Sequence, residues 1–312
     1  MVGSLALAAA VCASTQAPAA LDTSPHRSAL VAIRADVHLE VLDWGGHGPA
    51  LVFLAGFGDT AHVFDGFAPQ FTDRFHVFGI TRRGFGASSR PAAGYDTRTL
   101  AQDITLALDS LGVDRAAFVG HSFAGTELSY LGAFYGDRVS HLVYLDASYD
   151  FASLYADPRW KRAYPIPRPP LPRTPEMAAW QEWFTLTLGP GFPPAEIRIL
   201  NATGSRDSLA DILQRSTAPS DFRRIRSPVL ALWAAPTSVQ EQYPYWKILD
   251  SAARARLEES FALTQAVRRV HLRRFGQLVR GARILRIPGG RHYLFLSHPA
   301  EVTRAIRAFL PS

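Results

Sequence analysis

Residues 118–130 read FVGHSFAGTELSY. An apolar run over 116–119 stops at Gly120, Ser122 follows two positions later, and a stretch that can wind into a helix comes next. A hydroxyl at the tip of a buried strand is exposed when the strand turns tightly into a helix, and the strained backbone of such a turn admits only small neighbours. Gly120 stands two residues before Ser122 and Ala124 two after. Alanine is the next smallest side chain after glycine, and Gly125 adds room. Glycine–x–serine–x–alanine spacing alone is common by chance. Its place between an apolar strand and a helical pattern gives it meaning, and the reading predicts a strand–turn–helix unit centred on Ser122.

The rest of the chain repeats that unit. Residues 30–44 (LVAIRADVHLEVLDW) predict a hairpin, and 50–56 (ALVFLAG) a strand buried on both faces. Phe64, Phe67, Ala68 and Phe71 recur at helical spacing, and 75–80 (FHVFGI) form the next strand. Leu100, Ile104, Leu108 and Leu111 mark a helix closed by Gly112. AAFVG, LVYLDA, PVLALW and RILRI supply four more strands, and PAEVTRAIRAFL (299–310) a last helix with Val302, Ile306, Phe309 and Leu310 on one face. Strands alternating with helices predict an α/β fold, a mostly parallel sheet flanked by helices on both faces.

Two stretches interrupt the alternation. Residues 148–225 are far longer than a crossover needs and contain Trp160, Trp180, Trp183 and the proline-rich YPIPRPPLPRTPE. An unstructured loop of that length is improbable, so a small helical cap is expected there, with the prolines as a rigid tether. The second stretch, about 238–280, holds DSAARARLEESFALTQAVRRVHLRRFGQLV, a long helical pattern expected to pack on the sheet with a solvated arginine face, a membrane-surface helix being the alternative. The expected organisation is a leader (1–27), a core (28–147 and 226–312) and the cap (148–225).

Composition narrows the function classes. Hydrophobic content of 47% and charged content of 19% describe a globular chain, not a disordered one. The net charge of +6 comes almost wholly from arginine, Lys161 and Lys247 being the only lysines. With no long basic run, zinc-finger spacing or aromatic RNA-binding motif, no nucleic-acid partner is expected. Cys12 is the only cysteine, so no internal disulfide forms, and no cysteine–histidine group has metal-ligand spacing. Its surroundings, LALAAAVCA, are too short to span a bilayer, and no other segment looks transmembrane. Val11 and Ala13 suit an export signal cut near Ser14; the missing basic start suits an alanine-rich disordered leader or a cytoplasmic protein.

Serine chemistry needs a base for the hydroxyl and donors for the developing oxyanion. FLAGFGD (53–59) ends a strand in a glycine-bounded turn that can present the Phe57 N–H, and Phe123, next after the serine, presents a second. Of the ten histidines, only His292, in RIPGGRHYLFLSHP (286–299), joins a strand-end loop to a position ahead of the final helix. His298 beside Pro299 reads as a helix start, and His121 as a neighbour without an acid–base role.

Taken together, LAGFGD, RRGFGASSRP (82–91), FVGHSFAG and GGRHYLFLSHPAEV (289–302) resemble the α/β-hydrolase superfamily over roughly residues 30–312. The resemblance implies eight strands, a variable cap between strands 6 and 7, and no metal or cofactor. It implies a serine branch, since the haloalkane dehalogenase and epoxide hydrolase branches carry aspartate at the position of Ser122. It leaves several activities open: hydrolysis of a carboxylic ester or related acyl compound, hydrolysis of a carbon–carbon bond or a lyase reaction, or a silent fold that binds a small molecule. The aromatic residues of 177–192 favour a small apolar ester-like substrate. The triad acid of most relatives follows strand 7, yet residues 230–242 (LALWAAPTSVQEQ) contain no aspartate. Strand 6 ends LVYLDAS, and some relatives place their acid there. Asp146 is therefore the expected partner of His292, with Asp150 and Glu241 as alternatives.

Overall fold

The computed structural model describes residues 26–202 and 207–311. Residues 1–25 of the expected leader, with the cut near Ser14, lie outside the described residues; Arg27, the last residue assigned to it, already opens β1. Eight strands run β1 (Arg27–Arg34), β2 (Val37–Gly45), β3 (Ala50–Leu54), β4 (His76–Ile80), β5 (Ala116–His121), β6 (Val139–Leu145), β7 (Val229–Ala235) and β8 (Arg283–Pro288). They form one sheet in the order β1-β2-β4-β3-β5-β6-β7-β8. β2 is antiparallel to β1 and β4, and every other pairing is parallel. All parallel strands therefore present their C-terminal ends along one edge, where ligands of open α/β sheets are held.

The two-residue period of the strands divides the core into two layers. Val52, Leu54, Ala116 and Phe118 face one side; Leu51, Phe53, Ala117 and Val119 face the other. Helix α1 (Thr97–Ser110) and helix α2 (Ala124–Phe134) cover the first layer through Leu100, Ile104, Leu108, Leu128 and Leu131. Asp96 caps α1 by accepting from the Thr99 N–H.

Among the described residues, five α-helices lie between β6 and β7: α3 (Phe151–Ala156), α4 (Pro158–Ala163), α5 (Met177–Thr187), α6 (Pro194–Ala202) and α7 (Asp207–Ser216). After β7 come α8 (Val239–Gln242) and the 28-residue α9 (Ser251–Leu278); α10 (Leu294–Ser297) and α11 (Pro299–Phe309) follow β8. Val302 and Ile306 of α11 close the second layer with Phe295. Two details depart from the sequence reading. Phe64 and Phe71 sit on two short 3-10 turns, Ala61–Phe64 and Ala68–Phe71, with Phe67 at the junction, because Gly66 and Pro69 interrupt the run. Helix α9 is not basic only toward solvent, since Arg268 and His271 are buried with Leu257, Val267 and Phe275. Among the described residues, no helix is long and apolar enough to cross a membrane.

Candidate active site

Ser122 occupies the turn between β5 and α2 with φ of +52°, a left-handed conformation rare for a side-chain-bearing residue. Its N–H donates to the Leu145 carbonyl at 3.1 Å, which ties the turn to the end of β6. The small neighbours have separate reasons. A Cβ on Gly120 would stand 2.8 Å from Leu128 Cδ1 and 3.1 Å from the Ala124 Cβ, so the glycine before the serine makes room for the first turns of α2. A Cβ on Gly125 would overlap the Ala147 carbonyl, so the closest approach of α2 to the loop after β6 falls one residue beyond the usual glycine.

The structure brings Ser122, His292 and Asp146 together from three strand ends. Ser122 Oγ lies 2.9 Å from His292 Nε2, and His292 Nδ1 lies 2.8 Å from Asp146 Oδ2. Asp146, at the tip of β6, also has a positive φ, +47°, and its N–H donates to Leu232. The alternatives are occupied elsewhere. Exposed Glu241 accepts from the Thr237 N–H, and buried Asp150 accepts from Ser153 and the Ser220 N–H beside Arg274.

Asp146 Oδ1 has partners that the sequence reading did not foresee. Arg268 donates to it at 2.6 Å, the Ala234 N–H at 3.2 Å and the Tyr149 hydroxyl at 3.3 Å. Arg268 also donates to the Ala234 carbonyl and the Tyr149 oxygen. Burial acts to raise the Asp146 carboxyl, but the Arg268 charge and the His292 bond outweigh it and hold the acid below its ordinary range. The detectable signal was periodicity: Arg268 falls on the stripe of Leu257, Thr264, His271 and Phe275.

The loop after β3 passes close by: a Cβ on Gly56 would stand 3.2 Å from Ser122 Cβ. Arg82 holds that loop through the Ala55 and Gly56 carbonyls while pairing with Glu127 of α2 at 2.6 and 2.7 Å. Neither the Phe57 nor the Phe123 N–H has an acceptor among the described residues. His121 donates from Nε2 to the His292 carbonyl, and its burial, then the nearness of His292, push its pKa well below the ordinary value. It is a neutral support for the His292 backbone. Buried Glu196 of α6 accepts from both the N–H and the hydroxyl of Thr60, and Tyr293 donates to Asp59.

A cavity of about 1110 Å³ opens over Ser122 and His292. Phe57, Phe151, Trp160, Trp180, Trp183 and Phe184 supply much of its apolar wall. Away from it, His26, His62 and Asp65 bring possible metal-ligating atoms within 4.8 Å of one another, a grouping hidden in the sequence by their separation. There both histidines bond to Asp65.

The family model described as the alpha/beta hydrolase fold matches residues 49–299. This chain belongs to the α/β-hydrolase family. Among its curated relatives, epoxide hydrolase A of Mycobacterium tuberculosis is 35% identical over 108 residues, 33% of this chain and 34% of that protein. The 2-(acetamidomethylene)succinate hydrolase of Mesorhizobium japonicum is 32% identical over 101 residues, 32% of this chain and 36% of that one. The match thus spans about a third of the length of these curated relatives. The crystal structure of E-2-(acetamidomethylene)succinate hydrolase superimposes with a TM-score of 0.64 at 21% identity, over 91% of this chain and 98% of that one. That likeness establishes the shared α/β-hydrolase fold.

Proposed function

We propose that this α/β-hydrolase family member is a serine hydrolase that cleaves a carboxylic ester or related acyl compound through an acyl-enzyme. The observation that carries the reading is the continuous chain Ser122 Oγ–His292–Asp146, with contacts of 2.9 and 2.8 Å. His292 Nε2 takes the hydroxyl proton as Ser122 attacks the acyl carbon. Asp146 fixes the tautomer by accepting from Nδ1 and stabilises the imidazolium that forms. The Phe57 and Phe123 N–H groups receive the oxyanion, which gives two otherwise unpartnered backbone donors an acceptor in the transition state. His292 then protonates the leaving alcohol, and water, deprotonated by the same imidazole, releases the acid and restores Ser122.

Residues 148–225 act as a cap in this reading, with Trp180, Trp183 and Phe184 roofing an apolar substrate body. A stopped-flow experiment with 4-nitrophenyl acetate tests it. The expected result is a burst of about one nitrophenolate per protein before the steady state, absent in Ser122→Ala. Unchanged turnover in a folded Ser122→Ala variant overturns the reading.

A further inference from the structure

The ionic groups of the cavity are unevenly partnered. Among the described residues, its two carboxylates are both engaged, Asp146 with His292 and Arg268, and Asp59 with the Tyr293 hydroxyl. Three further cations line the same space: Arg291, Arg168 and Lys161. Among the described residues, the side chains of these three make no hydrogen bond or ion pair.

Arg291 differs most from the rest of the molecule. The deeply buried arginines each hold a carboxylate: Arg82 with Glu127, Arg83 with Asp103, Arg268 with Asp146. Arg291 is half-buried without one, and burial lowers its pKa with nothing to offset it. Its guanidinium lies against Gly189, where a Cβ would stand 3.3 Å from Nη2, so it reaches from the residue beside His292 to the segment between α5 and α6. A partly desolvated guanidinium without an anion is unfavourable, and a planar carboxylate is its natural complement. Arg168 and Lys161 are exposed and lie on the same cavity wall, where they raise the local concentration of anions.

We propose that the substrate carries a free carboxylate besides its scissile acyl group, and that Arg291 binds it. The substrate class is then the anionic ester, such as a half-ester of a dicarboxylic acid, with an apolar chain along the aromatic wall. Hydrolysis adds one water across the ester, giving the acid and the alcohol, and leaves the bound carboxylate unchanged. This rests on the serine-hydrolase reading of Ser122.

Mono-4-nitrophenyl suberate and its methyl-capped diester differ in one negative charge and test the proposal. Wild type is expected to favour the anion by roughly ten- to a hundredfold in kcat/KM, mostly through KM, as for a charge-assisted pair. Added salt should narrow the ratio. Arg291→Met should bring it near one, and Arg291→Lys should keep part of it. Equal kcat/KM for both esters in wild type, or an undiminished ratio in Arg291→Met, overturns the proposal. A binding measurement separates this outcome from a failure of the hydrolase reading. Tryptophan fluorescence of Ser122→Ala, titrated with monomethyl and dimethyl suberate, should show tighter binding of the monoacid, lost when Arg291→Met is added. Equal binding overturns the proposal even if neither ester is ever cleaved.

Discussion

Asp146 divides its two carboxylate oxygens between two tasks. Oδ2 faces His292 and Oδ1 faces Arg268, so the proposed orienting acid is itself oriented by a buried cation. Replacing an orienting aspartate by its amide cost a serine protease about 10⁴-fold in kcat, by favouring the wrong histidine tautomer. Steady-state kinetics of Asp146→Asn should show a kcat loss of that order with little change in KM. Glu241→Gln should be nearly silent, because Glu241 is exposed and caps its own turn. A mild Asp146→Asn would return the search to other acids. The sequence pointed to Asp146 because strand 7 carries no aspartate. It did not disclose Arg268, because an arginine-rich helix looks uniformly solvated until packing shows which arginine faces in. Arg82 was hidden for a similar reason: its carbonyl partners lie 26 and 27 residues away, and Glu127 lies 45 away.

At the scale of elements, helix α6 docks on the loop after β3 through an acid. Glu196 is buried against Thr60, and its pKa is raised to about 8, by burial first and by the charge of Asp59 next, with the Thr60 bonds and the His62 charge acting the other way. The folded protein therefore holds this proton where the unfolded chain, near pH 4.5, has already lost it. Stability from this group is full below the unfolded value and falls as pH rises toward 8. Glu196→Gln keeps an oxygen for the Thr60 N–H and removes the titration. Urea denaturation should show the variant gaining on wild type between pH 5 and 9, by roughly 2 to 4 kcal/mol at the upper end. A gap that stays constant with pH would contradict this assignment. That the described residues between β6 and β7 are folded into helices was expected from the length of the segment, but the Glu196–Thr60 contact spans 136 residues and leaves no local trace.

Across the whole molecule, the legible part was what local pattern dictates. Apolar strands alternating with amphipathic helices required a parallel sheet flanked on both faces. The small residues around Ser122 required a tight turn, and the sheet order places that turn between the ends of β3 and β6, with β7 one strand further on. Outside the motifs that carry the family resemblance, long-range pairing was not legible, because its geometry exists only once the sheet is assembled: the half-buried Arg291 and the His26–His62–Asp65 group are of that kind. In the proposed function this assembly makes Ser122 a nucleophile. The most direct test is labelling with a fluorophosphonate, followed by digestion and mass spectrometry of the modified peptide. A single adduct is expected on Ser122, formed slowly or not at all in His292→Ala; an unlabelled folded protein, or an adduct on another residue, would contradict the serine-hydrolase reading.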